Sequence, residues 1–213
     1  MGIGIKKVRS VEDLKALGSF RYEVYVAEMQ RPQRYADHAR RMVIEPLDSC
    51  ANVFVALDDG RIVGTVRTNY AARGDLDEYV RLFGIDSADP RFLAGTSITT
   101  KLMVAPHYRN TSLAYRLARA TYRCARADGI HQDFIDVNPP LVPFFQKLGY
   151  RVHRPRVLHP EYGPVVVMRI DVHDAEHFER VGSPFFRLAC EPSQVTLHKA
   201  HERSIPPPDE VSA

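Results

Sequence analysis

The stretch Val104–Ile130, VAPHYRNTSLAYRLARATYRCARADGI, decides how this chain is read. Upstream, SITTKLMVAP (97–106) reads as a buried strand stopped by Pro106. Downstream, the apolar spacing predicts a helix of about 18 residues from about Thr111. A strand that turns into a helix N-terminus makes an anion site. The first helical N–H groups have no internal partners, and the helix dipole favours negative charge there. Arg109 adds a guanidinium, and Asn110, Thr111 and Ser112 are small polar residues that let a phosphate approach. A capped helix with a solvated arginine accounts for the same residues equally well.

Working outward, Leu14, Leu17, Phe20 or Arg21, and Val24 recur at helical spacing, with Ser10 as cap, Asp13 three residues on, and Pro32 as stop. Residues 33–50 read as irregular or partly helical. NVFVALDDGRIVGTVRTNYA predicts a hairpin turning at Asp59-Gly60. A short helix is expected over 75–83. After the opening stretch come a strand (HQDFIDVN), a short helix ending at Gly149, and strands in YRVHRPRV and GPVVVMRIDV. Mixed elements with hairpins at both ends predict an α+β sandwich around one sheet. Residues 1–172 read as the domain. Residues 173–213 read as an extension with a short helix in DAEHFERVG and a disordered end in SIPPPDEVSA.

Composition excludes little. Hydrophobic residues make up 45% of the 213 and charged residues 26%, with a net charge of +3, an ordinary globular profile. No apolar run approaches a membrane span, and no signal peptide is visible. Cys50, Cys124 and Cys190 have neither zinc spacing nor an even count, so no metal site or disulfide framework is expected and the cytoplasm is the simplest location.

The motif that opens the helix, Arg109-Asn110-Thr111-Ser112-Leu113-Ala114 after Val-x-Pro, resembles the acyl-donor turn of the GCN5-related N-acetyltransferase (GNAT) superfamily. Ser112 replaces that pattern's first glycine. NPPLVPFFQKLGY, with Asn138, Phe144, Leu148, Gly149 and Tyr150, resembles the superfamily's last helix–strand segment. FRYEVYVAEM, with Arg21, then Asp48 and Gly64-Thr65-x-Arg67, is similar to autoinducer synthases and, more closely, to long-chain N-acyl amino acid synthases. The resemblance implies a GNAT fold, with a mixed, mostly antiparallel sheet flanked by helices. It also implies an N-acyltransferase that moves an acyl group from a phosphopantetheine thioester, on coenzyme A or an acyl carrier protein, to a small amine such as an amino acid or biosynthetic intermediate.

In site terms, the resemblance implies that the Arg109–Ala114 turn holds the phosphate. Backbone groups of Met103 and Val104 would meet the pantetheine amides and polarise the thioester, and Asn138 would bond the arm. Arg67 reads as a carboxylate or phosphate clamp, and Asp48 as a base or a contact for the acceptor amine. Arg21 reads as a substrate contact or as the structural partner of Asp48. Cys50 reads as a small buried thiol and His107 as a solvated turn residue. Three departures stand out. Phe145 occupies the place of a proton-donating tyrosine, Ile98 that of a glutamate before Thr100-Lys101, and Leu141 that of a histidine.

Arg116, Arg119, Arg123 and Arg126 fall at i, i+3, i+7 and i+10, on one helix face with Leu113, Leu117, Thr121 and Cys124 inward. They read either as a solvated face or as a dock for an acidic carrier protein. A tRNA is the alternative polyanion, which would make the chain an aminoacyl-tRNA-dependent amide former. A non-catalytic pantetheine-binding protein is the remaining alternative.

Overall fold

The computed structural model describes residues 2–192. Its centre is a sheet of seven strands: β1 (Gly4–Lys7), β4 (Asn52–Asp58), β5 (Arg61–Tyr70), β6 (Thr96–Val104), β7 (Gln132–Val137), β8 (Arg151–His159) and β9 (Gly163–Asp171), in the order β1-β4-β5-β6-β7-β9-β8. Only β6 and β7 run parallel; every other pair is antiparallel. A separate two-residue ribbon pairs β2 (Ala36–Asp37) with β3 (Met42–Val43). The mixed, mostly antiparallel sheet expected from the sequence is the sheet found.

Helix α1 (Val11–Tyr22) starts where Ser10 accepts the Asp13 N–H at 3.0 Å, while Asp13 reaches back to the Arg9 N–H at 3.3 Å. It does not run on as one α-helix to Pro32. Residues Glu23–Glu28 widen into a π turn that buries Val24 and Tyr25 against Met103. Such turns add a residue to the helix and re-aim side chains. The hairpin turns at Asp59 (φ 44°) and Gly60 (φ 79°), the paired positive angles that match strand twist.

Two layers of helix cover the sheet. On one face lie α1, a 3-10 turn (Pro46–Cys50) and α2 (Asp77–Phe83). Leu17 packs there on Val53 and Val55, and Phe83 on Ile98 and Phe134. The short α3 (Phe92–Gly95) leads into β6. On the other face lie α4 (Leu113–Ala127) and α5 (Val142–Leu148). Leu113 and Leu117 pack on Ala56 and Val66, and Ala118 and Tyr122 share a core with Phe145 and Leu148. Gly64 matters here, because a Cβ on it would sit 2.9 Å from Leu117 and 3.1 Å from the Met103 carbonyl.

The segment expected as an extension begins with α6 (Ala175–Arg180) and α7 (Phe186–Cys190). Phe178, Phe185 and Leu188 enter the same core as α4 and β9, so His173–Pro192 belongs to the packed body. The expected disordered end, from Ser204, lies outside the described residues.

Candidate active site

Strands β6 and β7 pair only from Thr96↔Gln132 to Thr99↔Ile135, then part. On its other side β6 stays paired to β5 as far as Gly64↔Val104. The register with β5 slips between Thr65 and Arg67, and Lys101 takes φ 56° at the slip. A bulge of this kind bends its strand and increases the twist, which steers β6 away from β7. Beyond Thr99 the β6 edge facing β7 has no ladder partner, and its backbone groups front an opening. A cavity of about 540 Å³ fills the opening and is lined from both faces of the sheet.

The wall includes Met103 on β6 and, toward α4, Val104, Arg109, Asn110, Thr111, Ala114 and Asn138, all singled out from the sequence. The Arg109 guanidinium is held rather than loose. Its Nε donates to the Val104 carbonyl at 3.1 Å, and Glu28 takes both terminal nitrogens at 2.6 and 2.9 Å. Asn110 makes the turn at φ 60°, and the Thr111 hydroxyl donates to the Tyr108 carbonyl and accepts the Leu113 N–H. Ser112 is exposed and Leu113 is core, so neither side chain reaches the wall. Leu141, Phe144 and Phe145 close this side, with Phe145 edge-on to Tyr150. The Tyr150 hydroxyl donates to Asp133 at 2.6 Å. Burial pushes Asp133 up to about 6 against the hydrogen bonds from Ser97, Tyr150 and Thr99.

The opposite face carries a buried ion network. Arg21 pairs with Asp48 at 2.7 Å, Arg67 with Glu45 at 2.6 Å and Asp48 at 3.4 Å, and Lys101 with Glu45 at 2.6 Å. Arg67 also donates to Thr100 and Tyr79. Burial alone would raise Glu45, but Arg67 and Lys101 outweigh it and bring it to about 2. Asp48 is lowered likewise, burial being overcome by Arg21 and Arg67.

This placement changes the reading of three residues. Asp48, Arg21 and Arg67 are buried and ion-paired beneath the cavity and are not on its wall. A carboxylate held by two arginines is a poor base, and fully buried arginines already holding carboxylates are poor clamps for a ligand, unlike the part-exposed Arg109. The pairing of Arg21 with Asp48, weighed above as structural, is the contact observed.

Tyr25, Arg31, Asp136 and Tyr162 are wall residues that the sequence does not single out as site residues. Tyr162 stacks between Tyr25 (5.7 Å) and His159 (4.4 Å), and its hydroxyl meets Lys101 at 2.5 Å. Burial pushes the Tyr162 phenol well up and His159 down to about 4, leaving His159 neutral as its Nδ1 accepts two backbone N–H groups. Arg31 lies 5.7 Å from the Tyr162 ring centroid and has no acidic partner among the described residues. Asp136 has no cationic partner within ion-pair distance among them either, and burial pushes it up to about 6 despite Lys101 and Arg67. The one signal available in sequence is Asp136 itself, an acid between the apolar Ile135 and Val137 of β7.

The arginine stripe divides. Arg119 and Arg123 are exposed. Arg116 donates to the Ile3 carbonyl, and Arg126 to the Leu188 and Glu191 carbonyls, so these two fasten the segment before β1 and the α7 segment to α4. Cys50 and His107 do not line the cavity. Among the described residues no group of three His, Cys, Asp or Glu side chains is arranged to hold a metal, and no helix is long and apolar enough to cross a membrane.

A sheet splayed at its only parallel pair, with a helix N-terminus facing the gap, defines a GNAT-type acyltransferase. Solved structures agree on the fold. An acyl-homoserine lactone synthase, BjaI, solved with SAM and isopentyl-CoA, superposes with a TM-score of 0.65 at 18% identity over 86% of this chain and 91% of its own. TofI, solved with an inhibitor and MTA, gives 0.65 at 20% identity over 89% and 100%. FeeM, an N-acyl amino acid synthase from uncultured soil microbes, gives 0.61 at 12% identity over 88% and 99%. No curated protein matches in sequence. The family profile of FeeM, N-acyl amino acid synthase, matches residues 16–171, and the chain belongs to that family.

Proposed function

We propose that the protein forms an amide between an acyl group, delivered as a phosphopantetheine thioester, and the amine of an amino-acid-like acceptor. One observation carries this reading: a single cavity crosses the sheet, with different chemistry at its two mouths. At the α4 mouth, the helix N-terminus and Arg109 suit the donor's phosphate. The unpaired β6 edge at Met103 and Val104 suits the pantetheine amides and the thioester carbonyl. Asn138 stands beside the same path. At the far mouth, Arg31 is a cation without an acid partner among the described residues, and a guanidinium fork fits an acceptor carboxylate. The names of FeeM and of the coenzyme A-dependent lactone synthases are consistent with both halves.

The test is a mass-spectrometric survey of the purified full chain with acyl-coenzyme A and acyl-carrier thioesters against a panel of amino acids and other amines. Amide product with matching thiol release is the expected result. A donor that binds without single-turnover product would make the protein a binding module. Ribonuclease-sensitive product would point to a tRNA-borne donor.

A further inference from the structure

We propose that Asp136 is the proton-transfer group of the reaction, taking a proton from the attacking amine and returning it to the departing thiolate. The proposal rests on the acyl-transfer reading above.

Ile135 is the last β7 residue paired to β6, opposite Thr99, so Asp136 stands at the vertex where the strands part. Side chains alternate along a strand. Ile135 and Val137 join the core that includes Ala118 and Tyr122 of α4, whereas Phe134 joins the core of α2. Asp136 therefore shares the face of Phe134, toward the mouth where Arg31 stands. A thioester laid along the free β6 edge brings its carbonyl carbon to this vertex, and an amine entering from the far mouth meets it there.

Two other titratable groups on the wall near the vertex, Lys101 and Tyr150, are committed. Lys101 is paired with Glu45 and bonded to Tyr162, and the Tyr150 hydroxyl donates to Asp133. Phe145 has no proton to exchange. The buried network holds three cations, Arg21, Arg67 and Lys101, against two carboxylates, Glu45 and Asp48. Asp136 faces that surplus charge without touching it. Its carboxyl, at about 6, passes between both protonation states near neutral pH, the range in which a general base and acid works best.

The step balances on this one group. The amine nitrogen attacks the carbonyl carbon and the C–N bond forms. The nitrogen's proton moves to Asp136, the C–S bond breaks, and the thiolate takes that proton and leaves as thiol. No other reactant is needed.

The experiment uses the full chain and a donor–amine pair that the wild type turns over. The groups facing Asp136 are Lys101 from β6, Arg67 from β5 and Tyr79 from α2, with Glu45 and Tyr162 behind them. Burial holds the Asp136 carboxyl at about 6, so kcat/KM should fall below about pH 6 in the wild type. Asp136→Asn should lower kcat by roughly 10²–10⁴-fold and abolish that limb. Coenzyme A affinity by calorimetry should stay unchanged, and the melting temperature should not fall, because Asn removes a buried carboxylate that burial disfavours. Asp136→Glu should retain part of the activity with the limb moved. Asp136→Asn with kcat within about threefold of wild type and its acid limb intact would overturn the assignment. If Asp136→Asn fails to fold, Asp136→Glu decides: a displaced limb supports the role and an unmoved one overturns it. Wild-type protein that forms no amide with any pair would sink the function itself, a failure distinct from that of the residue.

Discussion

The two mouths of the cavity are built by different means. The α4 mouth comes mainly from one continuous piece of chain, Met103 to Ala114, and its recognition groups are largely backbone: an unpaired strand edge and a helix start. The far mouth draws Tyr25 and Arg31 from the N-terminal quarter, Lys101 and Asp136 from two strands, and Tyr162 from the β8–β9 turn. Its geometry is held by side chains, above all the ion network under it. Backbone sites depend on strand and helix placement and tolerate changes of side chain. Side-chain sites depend on every charge in the network being answered. The donor mouth should therefore bend under mutation where the acceptor mouth breaks.

The largest effect should come from Asp48→Asn. Asp48 is the only ion-pair partner of the fully buried Arg21 among the described residues, and the Arg21 Nε and NH2 already lack hydrogen-bond partners there. Stranding such a charge costs about 3–5 kcal/mol, readable as a drop in the urea midpoint. The turnover number per folded molecule should change little. A hundredfold loss of turnover at unchanged stability would instead return Asp48 to the catalytic role the resemblance suggested.

Acid should loosen the same network. Glu45 at about 2 and the lowered Asp48 bind protons more weakly folded than unfolded. Their contribution is complete above about pH 4.5 and is lost as pH falls through the folded values toward 2. Asp133 and Asp136, both raised to about 6, act in the opposite sense and favour the fold as pH drops from about 6 toward 4. His159, lowered to about 4 by burial, loses stability over the same range and offsets part of that gain, so stability should fall steeply only below about pH 4.5, and Glu45→Gln should flatten that fall. Urea titrations from pH 3 to 8 would check both.

A sharper contrast pairs Arg109→Ala with Arg31→Ala. The first should raise the donor KM about tenfold and leave the acceptor KM alone; the second should do the reverse, each a lost charge-assisted contact of about 1.5–3 kcal/mol at most. Equal effects of both variants on both constants would mean that the mouths are not separate sites.

Legibility followed the same division. The strand–turn–helix at Val104–Leu117, the Asp59-Gly60 hairpin and the helix stop at Gly149 rest on neighbours in sequence, and each could be read directly. The π turn at Glu23–Glu28 could not, because tertiary packing of Val24 and Tyr25 on Met103 selects it over continued α-helix. Arg21, Asp48 and Arg67 were legible as important but not as buried, since charge alone does not say whether its partner is a ligand or another side chain. Asp136 was missed because its meaning depends on where β6 and β7 part, and that follows from the bulge at Lys101, thirty-five residues earlier in the chain. The arginine stripe was over-read for a related reason. Helical periodicity places four arginines together but does not show that Ile3 and the α7 segment occupy two of them.

The smallest effect concerns what remains of that stripe. Arg119 and Arg123 are exposed on the helix whose N-terminus faces the donor mouth. Neither touches the cavity wall, so Arg119→Ser with Arg123→Ser should leave kinetics with acyl-coenzyme A unchanged. If the donor arrives on an acidic carrier, the same change should raise the carrier KM about two- to fivefold at low salt, an effect that fades as ionic strength shortens the Debye length from about 30 Å at 0.01 M to about 8 Å at 0.15 M. A response confined to the carrier donor and erased by salt would assign these two arginines to docking. An equal response with coenzyme A would place their influence on α4 itself, and an absence of response with either donor would leave them a solvated face.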